Sequence, residues 1–245
     1  MADDGKLARR EFMRGAGVAA VAATTAATAG CATETPPGAP AQAQVAATSP
    51  ASAEPETWLA LTPTEAAFVI AAVDTLIPAD DLSPSGSDCG VAVFIDRQLA
   101  SAWGGGDKTY RSGPYHTGKP EQGYQLPLTP REYVATGIAA ANAWTRKTYG
   151  KEFDRLSVAD RTAALTAMET GKAEFVGFGA RGFFERLLSL TMEGFFSDPI
   201  YGGNRDKVAW KLLGFPGLPA TYADKVDAFS DKRYVADPQS IADFS

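Results

Sequence analysis

The chain has 245 residues, a formal net charge of −6 and 45% hydrophobic residues. Removing residues 1–30 takes away four bases and three acids and leaves a net charge of −7. This balance argues against nucleic-acid binding, which needs clustered Lys and Arg, and against a basic surface for anionic lipid.

The N-terminus carries a paired arginine. Arg9 and Arg10 are followed by Phe12, by a further base and by a weakly apolar run over residues 15–29. This order resembles a twin-arginine export signal. The run is shorter than the roughly 20 apolar residues of a membrane-spanning helix. The sequence therefore predicts a signal peptide over residues 1–30 and a periplasmic protein that crosses the membrane already folded.

Two processing sites compete at the end of this signal. Residues 27–29 form a small-x-small cleavage site, whereas residues 29–31 end as a lipoprotein signal does and would leave Cys31 as a lipidated N-terminus. Residues 31–57 follow, rich in Pro, Ala and Thr, and cannot bury enough apolar surface to offset their ordering entropy. We expect a disordered linker here.

The remaining residues, 58–245, predict one all-α domain of about five to seven helices with long ordered loops. Capping boxes begin helices at Thr62 and Thr129, where Pro stands at the first helical position and Glu at the third. A second helix is expected from about Asp88 to Trp103, and another begins at Ser157. Further helices are expected over residues 181–196, which are apolar on nearly every face, and over residues 207–213.

A long segment without periodicity, residues 104–128, separates two of these helices. Loops of this length in a compact domain are usually functional or disordered. Its four rings, from Tyr110, Tyr115, His116 and Tyr124, argue against disorder. We expect an ordered loop packed on something.

Few residues could carry chemistry. His116 is the only histidine, and without a nucleophile elbow it is more simply a surface residue. One histidine and two cysteines are too few to supply the ligands of a zinc, haem or iron–sulfur site. Cys89 is either a buried small hydrophobe or one half of an intermolecular disulfide. The acidic stretches at residues 80–81 and 198–206 lack the ligand spacing of a calcium loop. We expect no catalytic residue and no cofactor in this chain, although a site built from carboxylates alone stays open.

Several blocks of the domain identify a family. The longest is Thr191-Met-Glu-Gly-Phe-Phe-Ser-Asp-Pro-Ile-Tyr-Gly-Gly-Asn204, which continues into Trp210-Lys-Leu-Leu-Gly-Phe-Pro-Gly217. It is preceded by Tyr110-Arg-Ser-Gly-Pro-Tyr115, Glu121-Gln-Gly-Tyr-Gln125, Leu128-Thr-Pro130 and Gly150-Lys-Glu-Phe153. Over about residues 59–222 the chain resembles subunit 3, the small or gamma subunit, of the gluconate 2-dehydrogenase family.

The resemblance implies a non-catalytic subunit of a periplasmic complex that oxidises a sugar or sugar acid. FAD would lie in a large flavoprotein partner and haem c in a multihaem cytochrome subunit. The small subunit would supply the export signal and help the flavoprotein mature. The complex, or a lipid on Cys31, would hold it at the membrane.

The same resemblance suggests where the flavoprotein docks. Aromatic side chains beside Gly and Pro are typical of protein interfaces. We therefore predict an interface formed by Tyr110, Tyr115, Tyr124, Phe196, Asp198, Tyr201 and Asn204. Two alternatives stay open: residues 201–204 are simply a tight turn, or the protein is a free-standing lipoprotein that binds a small ligand in a helical pocket.

Overall fold

The computed structural model of the chain describes residues 57–107, 109–116, 118–119, 122–218 and 221–244. The predicted signal peptide with Arg9, Arg10 and Phe12, the candidate lipidation site Cys31 and the linker up to residue 56 lie outside the described residues.

The described residues form six α-helices and no strand, so the predicted all-α fold is confirmed. The helices are α1 (Pro63–Leu76), α2 (Val91–Ala100), α3 (Pro130–Tyr149), α4 (Val158–Glu169), α5 (Ala180–Phe196) and α6 (Val208–Leu213). Short 3-10 turns lie at Phe153–Arg155, Pro199–Tyr201, Arg205–Lys207, Asp227–Phe229 and Ile241–Phe244. An isolated parallel bridge joins Gly217 to Gln239.

The helix starts follow local side-chain chemistry. Both predicted capping boxes are present, with the hydroxyls of Thr62 and Thr129 accepting from the N–H groups of Glu65 and Glu132. The helix α2 is shorter than the prediction at both ends. It begins after Gly90, because a φ of 80° is not compatible with a regular α-helix. It ends at Ala100, and residues 101–107 form turns instead of a further helical segment.

The helix α5 lies at the centre of the fold, as the sequence predicts, and contacts α1, α2, α3, α4 and α6. Phe183 of α5 is fully buried and packs against Phe68 of α1, with ring centroids 6.0 Å apart. The helices α3 and α5 come unusually close beside it, because Gly137 of α3 has no side chain. A Cβ at Gly137 would lie 2.0 Å from Cδ2 of Phe183.

Replacing Gly137 with Ala is therefore expected to destabilise the domain. The steric overlap costs about 3 kcal/mol, at the upper end of the range for overpacking. This outweighs the roughly 1 kcal/mol by which Ala is the better helix former. We expect the melting temperature to fall by about 4–8 °C. The exposed neighbour provides the control, since Thr136→Ala should melt at or slightly above the wild-type temperature. A Gly137→Ala variant as stable as wild type would contradict this close approach.

A buried carboxylate fixes the point at which the chain enters the fold. Asp96 of α2 is 2% exposed and accepts three backbone hydrogen bonds. Its Oδ2 accepts from the N–H of Leu59 at 2.8 Å, and its Oδ1 accepts from Ala60 and Leu61 at 2.9 Å each. Residues 59–61 are thereby tied to α2 before α1 begins.

Candidate docking surface

The first predicted docking segment, residues 196–204, is a compact turn at the end of α5. Asp198 caps the 3-10 turn Pro199–Tyr201, and its Oδ1 accepts from the N–H of Ile200 at 3.0 Å. Tyr201 is 50% exposed, whereas Phe196 and Asp198 are half-buried. This turn therefore presents the ring of Tyr201 from a backbone that its own side chains hold.

Asn204 has a different position from the rest of this segment. It is fully buried and lies in the left-handed region with φ 45°. Its Nδ2 donates to the carbonyl of Ser197 at 2.9 Å, and its Oδ1 accepts from the N–H of Ala209 at 2.9 Å. The side chain of Asn204 thus builds the turn and offers no surface of its own, which is what the tight-turn alternative predicts for this residue.

The two glycines of the block allow close backbone packing. Gly202 has a φ of 99° and lies against Arg97 of α2, because a Cβ there would be 2.8 Å from Nη1 of Arg97. A Cβ on Gly203 would lie 2.1 Å from the carbonyl oxygen of Gly194. The turn is therefore pressed against both α2 and α5, and no larger residue fits at these two positions without a shift.

The second predicted segment is the aromatic loop, which we define as residues 109–116 and 122–126. Tyr124 stacks on Tyr133 of α3 with ring centroids 4.0 Å apart, and its hydroxyl donates to the carbonyl of Leu128 at 3.1 Å. The hydroxyl of Tyr115 donates to the carbonyl of Arg111 at 2.7 Å. Tyr110 is 81% exposed. Tyr124 packs this loop on α3, as predicted, whereas the rings of Tyr110 and His116 are exposed.

The ring of Tyr133, on which Tyr124 of the loop stacks, stays uncharged. Burial raises the pKa of Tyr133 to about 12, with a small opposing effect from Arg186. Burial also raises the pKa of Tyr124. Both phenols therefore stay protonated at any physiological pH.

A groove of about 360 Å³ opens between the aromatic loop and the helices. Its walls include the rings of Trp103, Tyr110, Tyr115 and Tyr124, and the guanidinium of Arg186 lies 6.0 Å from the ring centroid of Trp103. Among the described residues that line the groove, Arg186 is the only charged one. The sequence pattern predicts Trp103 as the end of a helix and gives no signal for Arg186.

Both docking segments lie along the same helix pair. The helices α2 and α5 are antiparallel, since Gly194 at the end of α5 packs against Val91 and Phe94 at the start of α2. At the opposite end, Arg186 meets Trp103. The 196–204 turn therefore contacts the N-terminal part of α2 and the C-terminal end of α5. The groove lies at the opposite end of the pair, where α2 ends and α5 begins.

The C-terminal residues 238–243 contact the 196–204 turn and Lys207 just after it, a contact that the sequence pattern does not predict. Lys207 Nζ donates to the carbonyl of Pro238 at 3.1 Å and lies 2.5 Å from Oδ2 of Asp243. Asp198 Oδ2 accepts from the N–H of Ile241 at 2.9 Å. The one sequence feature that indicates local structure here is Ser240-x-x-Asp243, which has the spacing of a capping box. The carboxylate of Asp243 accepts a hydrogen bond from the N–H of Ser240.

The pKa of Asp243 is lowered to about 2 by its hydrogen bond from Lys207 and then by those from Ser240. Because the folded-state pKa lies below its unfolded value, this contact stabilises the fold above about pH 4 and is lost as the pH falls towards 2. The C-terminal contact is therefore fully formed at neutral pH.

The residues considered for chemistry are separate from one another. His116 is exposed on the aromatic loop. Cys89 is a free thiol, 1% exposed, and burial is the main cause that raises its pKa. This is the buried-hydrophobe interpretation of Cys89. Within the described ranges, no group of three or more His, Cys, Asp or Glu residues could hold a metal ion.

None of the helices in the described part of the chain is long and apolar enough to cross a membrane.

A family model described as gluconate 2-dehydrogenase subunit 3 matches residues 63–217. This range is more than half of the chain and contains both docking segments. No curated protein and no solved structure gives a match. The chain belongs to the gluconate 2-dehydrogenase subunit 3 family, and the resemblance found in its sequence blocks is confirmed.

Proposed function

We propose that this member of the gluconate 2-dehydrogenase subunit 3 family is the non-catalytic small subunit of a periplasmic, FAD-dependent gluconate 2-dehydrogenase-like complex. It binds a large flavoprotein, carries that partner through the twin-arginine route and supports its maturation and stability. A multihaem cytochrome c subunit completes the complex. FAD and haem c belong to these partners.

The observation that carries this proposal is the family match over residues 63–217. The family description names a subunit, and a subunit needs a docking surface. The matched range includes two segments that present aromatic rings from well-packed backbones, one around Tyr201 and one around Tyr110. Rigid aromatic side chains lose little rotamer entropy on binding and are common among the residues that dominate interfaces.

Export follows from the same binding event. The twin-arginine route carries folded proteins, so a flavoprotein that lacks its own signal crosses the membrane when it is bound to a subunit that has one. Arg9, Arg10 and Phe12 supply the signal in this chain. The complex, or a lipid on Cys31, then keeps the protein at the membrane surface.

The docking part of the proposal is tested by replacing Tyr201 with Ala. The partner is first identified as a flavoprotein open reading frame next to this gene and is co-expressed with the tagged chain. Truncating an aromatic interface residue commonly costs about 2 kcal/mol or more, roughly 30-fold in affinity. We therefore expect co-purification of the flavoprotein to fall sharply. The melting temperature of the isolated chain should change by only a few degrees, because Tyr201 is half exposed.

Asn204→Ala in the same turn is the matched comparison. It leaves the carbonyl of Ser197 and the N–H of Ala209 without their partner, so the isolated domain should lose about 2–4 kcal/mol of stability. Leu82→Ala, an exposed apolar residue outside both segments, should affect neither property. A Tyr201→Ala chain that retains the flavoprotein at wild-type yield would contradict this docking site. A chain that binds no flavoprotein in any form would favour the free-standing lipoprotein.

A further inference from the structure

The surface that carries Tyr201 continues into the C-terminal segment, which lies beyond the last residue that the family model matches. Two 3-10 turns lie side by side here, Pro199–Tyr201 and the C-terminal turn Ile241–Phe244. Together they expose four large apolar side chains, which we call the two-turn surface: Ile200 (46% exposed), Tyr201 (50%), Ile241 (37%) and Phe244 (62%). Neighbouring exposed apolar side chains mark an interaction site more often than isolated ones do.

One carboxylate joins the two turns. Asp198 Oδ1 accepts from the N–H of Ile200 at 3.0 Å, and its Oδ2 accepts from the N–H of Ile241 at 2.9 Å. Ile241 is the residue at which the C-terminal turn begins. The side chain of Asp198 therefore fixes the start of both turns relative to each other.

Further contacts hold the C-terminal segment on the matched part of the chain. The N–H of Gln239 donates to the carbonyl of Pro216 at 3.0 Å, and the carbonyl of Gln239 accepts from the N–H of Leu218 at 2.8 Å. The Lys207–Asp243 ion pair lies on the other side of residue 240. The C-terminal turn is thus held before and within its own residues. A surface that is ordered before binding loses little conformational entropy when a partner covers it.

The charged groups at the base of this surface already have partners within the chain. Both oxygens of Asp198 accept backbone hydrogen bonds, and Asp243 is paired with Lys207. Covering an unpaired charge is costly, because the charge loses its water without gaining a partner. Here the paired groups lie beside exposed apolar side chains, which is the composition of the centre of a protein interface.

The partner that covers the two-turn surface is the large flavoprotein of the proposed function, on which this inference rests. The family description names a subunit, and half of the surface belongs to the matched residues 63–217. A second copy of the chain is disfavoured, because two copies with a net charge of −6 each repel one another.

We propose that Ile241 and Phe244 form, together with Ile200 and Tyr201, one docking surface for the flavoprotein. The docking site then extends past the family block, and the C-terminal segment contributes to binding as well as to the fold.

The first test measures the affinity of Phe244→Ala for the purified flavoprotein encoded next to this gene. Truncating an aromatic interface side chain commonly weakens binding roughly 30-fold, and we expect a loss of this size. The melting temperature should change little, because Phe244 is 62% exposed. Val226→Ala is the matched control, since Val226 lies outside both turns and is 63% exposed. It should bind as wild type does, and Tyr201→Ala is measured in parallel.

The second test detects the contact directly by thiol labelling of the purified full chain. Ala242→Cys introduces a thiol at an exposed position of the C-terminal turn, Cys31→Ser removes the other reactive one, and Cys89 is buried. With the flavoprotein at about ten times its dissociation constant, about one chain in eleven stays free. Labelling should therefore slow about tenfold. In a Val226→Cys, Cys31→Ser chain the labelling rate should not respond to the flavoprotein.

The possible outcomes separate this inference from the proposed function. If Tyr201→Ala loses the flavoprotein but Phe244→Ala binds as wild type, or if Ala242→Cys is not protected, the inference is overturned and the proposed function stands. A wild-type chain that is a dimer by size-exclusion chromatography, and that Phe244→Ala makes monomeric at unchanged flavoprotein affinity, assigns the surface to a second copy and also overturns the inference. If the wild-type chain binds no flavoprotein, the inference and the proposed function fail together.

Discussion

An Asp96→Ala variant is expected to lose about 3–5 kcal/mol of the free energy of unfolding. The carboxylate of Asp96 is buried and accepts from the N–H groups of Leu59, Ala60 and Leu61. Without it these donors lose their partner together, and a buried unsatisfied donor costs about 1–3 kcal/mol. Thermal unfolding of the purified chain should show a melting temperature lower by about 6–20 °C.

The variant Asp96→Asn is expected to show a smaller loss of the free energy of unfolding than Asp96→Ala. An amide oxygen can still accept from Ala60 and Leu61, but its NH₂ group would face the N–H of Leu59. The Asn variant should therefore lie between wild type and Ala. Asp74→Ala, which removes an acceptor for the N–H and hydroxyl of Ser87 at a half-buried position, should cost less than Asp96→Ala. If Asp96→Ala unfolds at the same temperature as Asp74→Ala, the three-bond anchor is not what holds residues 59–61.

The sequence predicted those features of the fold that depend on neighbouring residues. The capping boxes at Thr62 and Thr129, the Ser157 cap and the stop at Gly150 each act within a few residues, and all are present. The apolar character of residues 181–196 predicted a central helix, because such a helix can be stable only when most of its faces are covered.

Contacts between distant residues were not predictable in this way. The residues around Asp96 give no indication that its hydrogen-bond partners lie 35 to 37 positions earlier in the chain. The close approach of α3 to α5 depends on Gly137 lying opposite Phe183, a pairing that only the packed structure determines. The contact between Lys207 and Asp243 joins the family block to a segment beyond residue 217.

The candidate docking residues show the same division. Aromatic rings in a Gly/Pro-rich context predicted exposed positions, and Tyr110 and Tyr201 are exposed. The composition could not separate a ring that contacts solvent from an amide that builds the turn, so Asn204 was grouped with them. Whether these residues contact a partner stays a prediction.

Replacing both Arg9 and Arg10 with Lys is expected to leave the protein, together with any flavoprotein bound to it, in the cytoplasm. The change keeps both positive charges, so a signal that required charge alone would still work. Lys presents a point charge where Arg presents a planar fork of five donors, and the two are not interchangeable at a site that recognises the fork. Cell fractionation followed by immunodetection of the tagged chain measures the periplasmic fraction, which should be nearly abolished.

Arg14→Lys is the matched control for this variant, because it exchanges the same residue types within the signal but keeps the arginine pair. It should be delivered normally. Both substitutions lie outside the residues that the family model matches, so we expect the melting temperature of the cytoplasmic form to equal that of wild type, and failure of export then cannot be ascribed to misfolding. If the flavoprotein reaches the periplasm while this chain does not, the partner has its own route and the carrier role is rejected. If the Arg9→Lys, Arg10→Lys chain itself reaches the periplasm at the wild-type level, the twin-arginine interpretation fails, and export of an unfolded chain followed by assembly outside the cytoplasm takes its place.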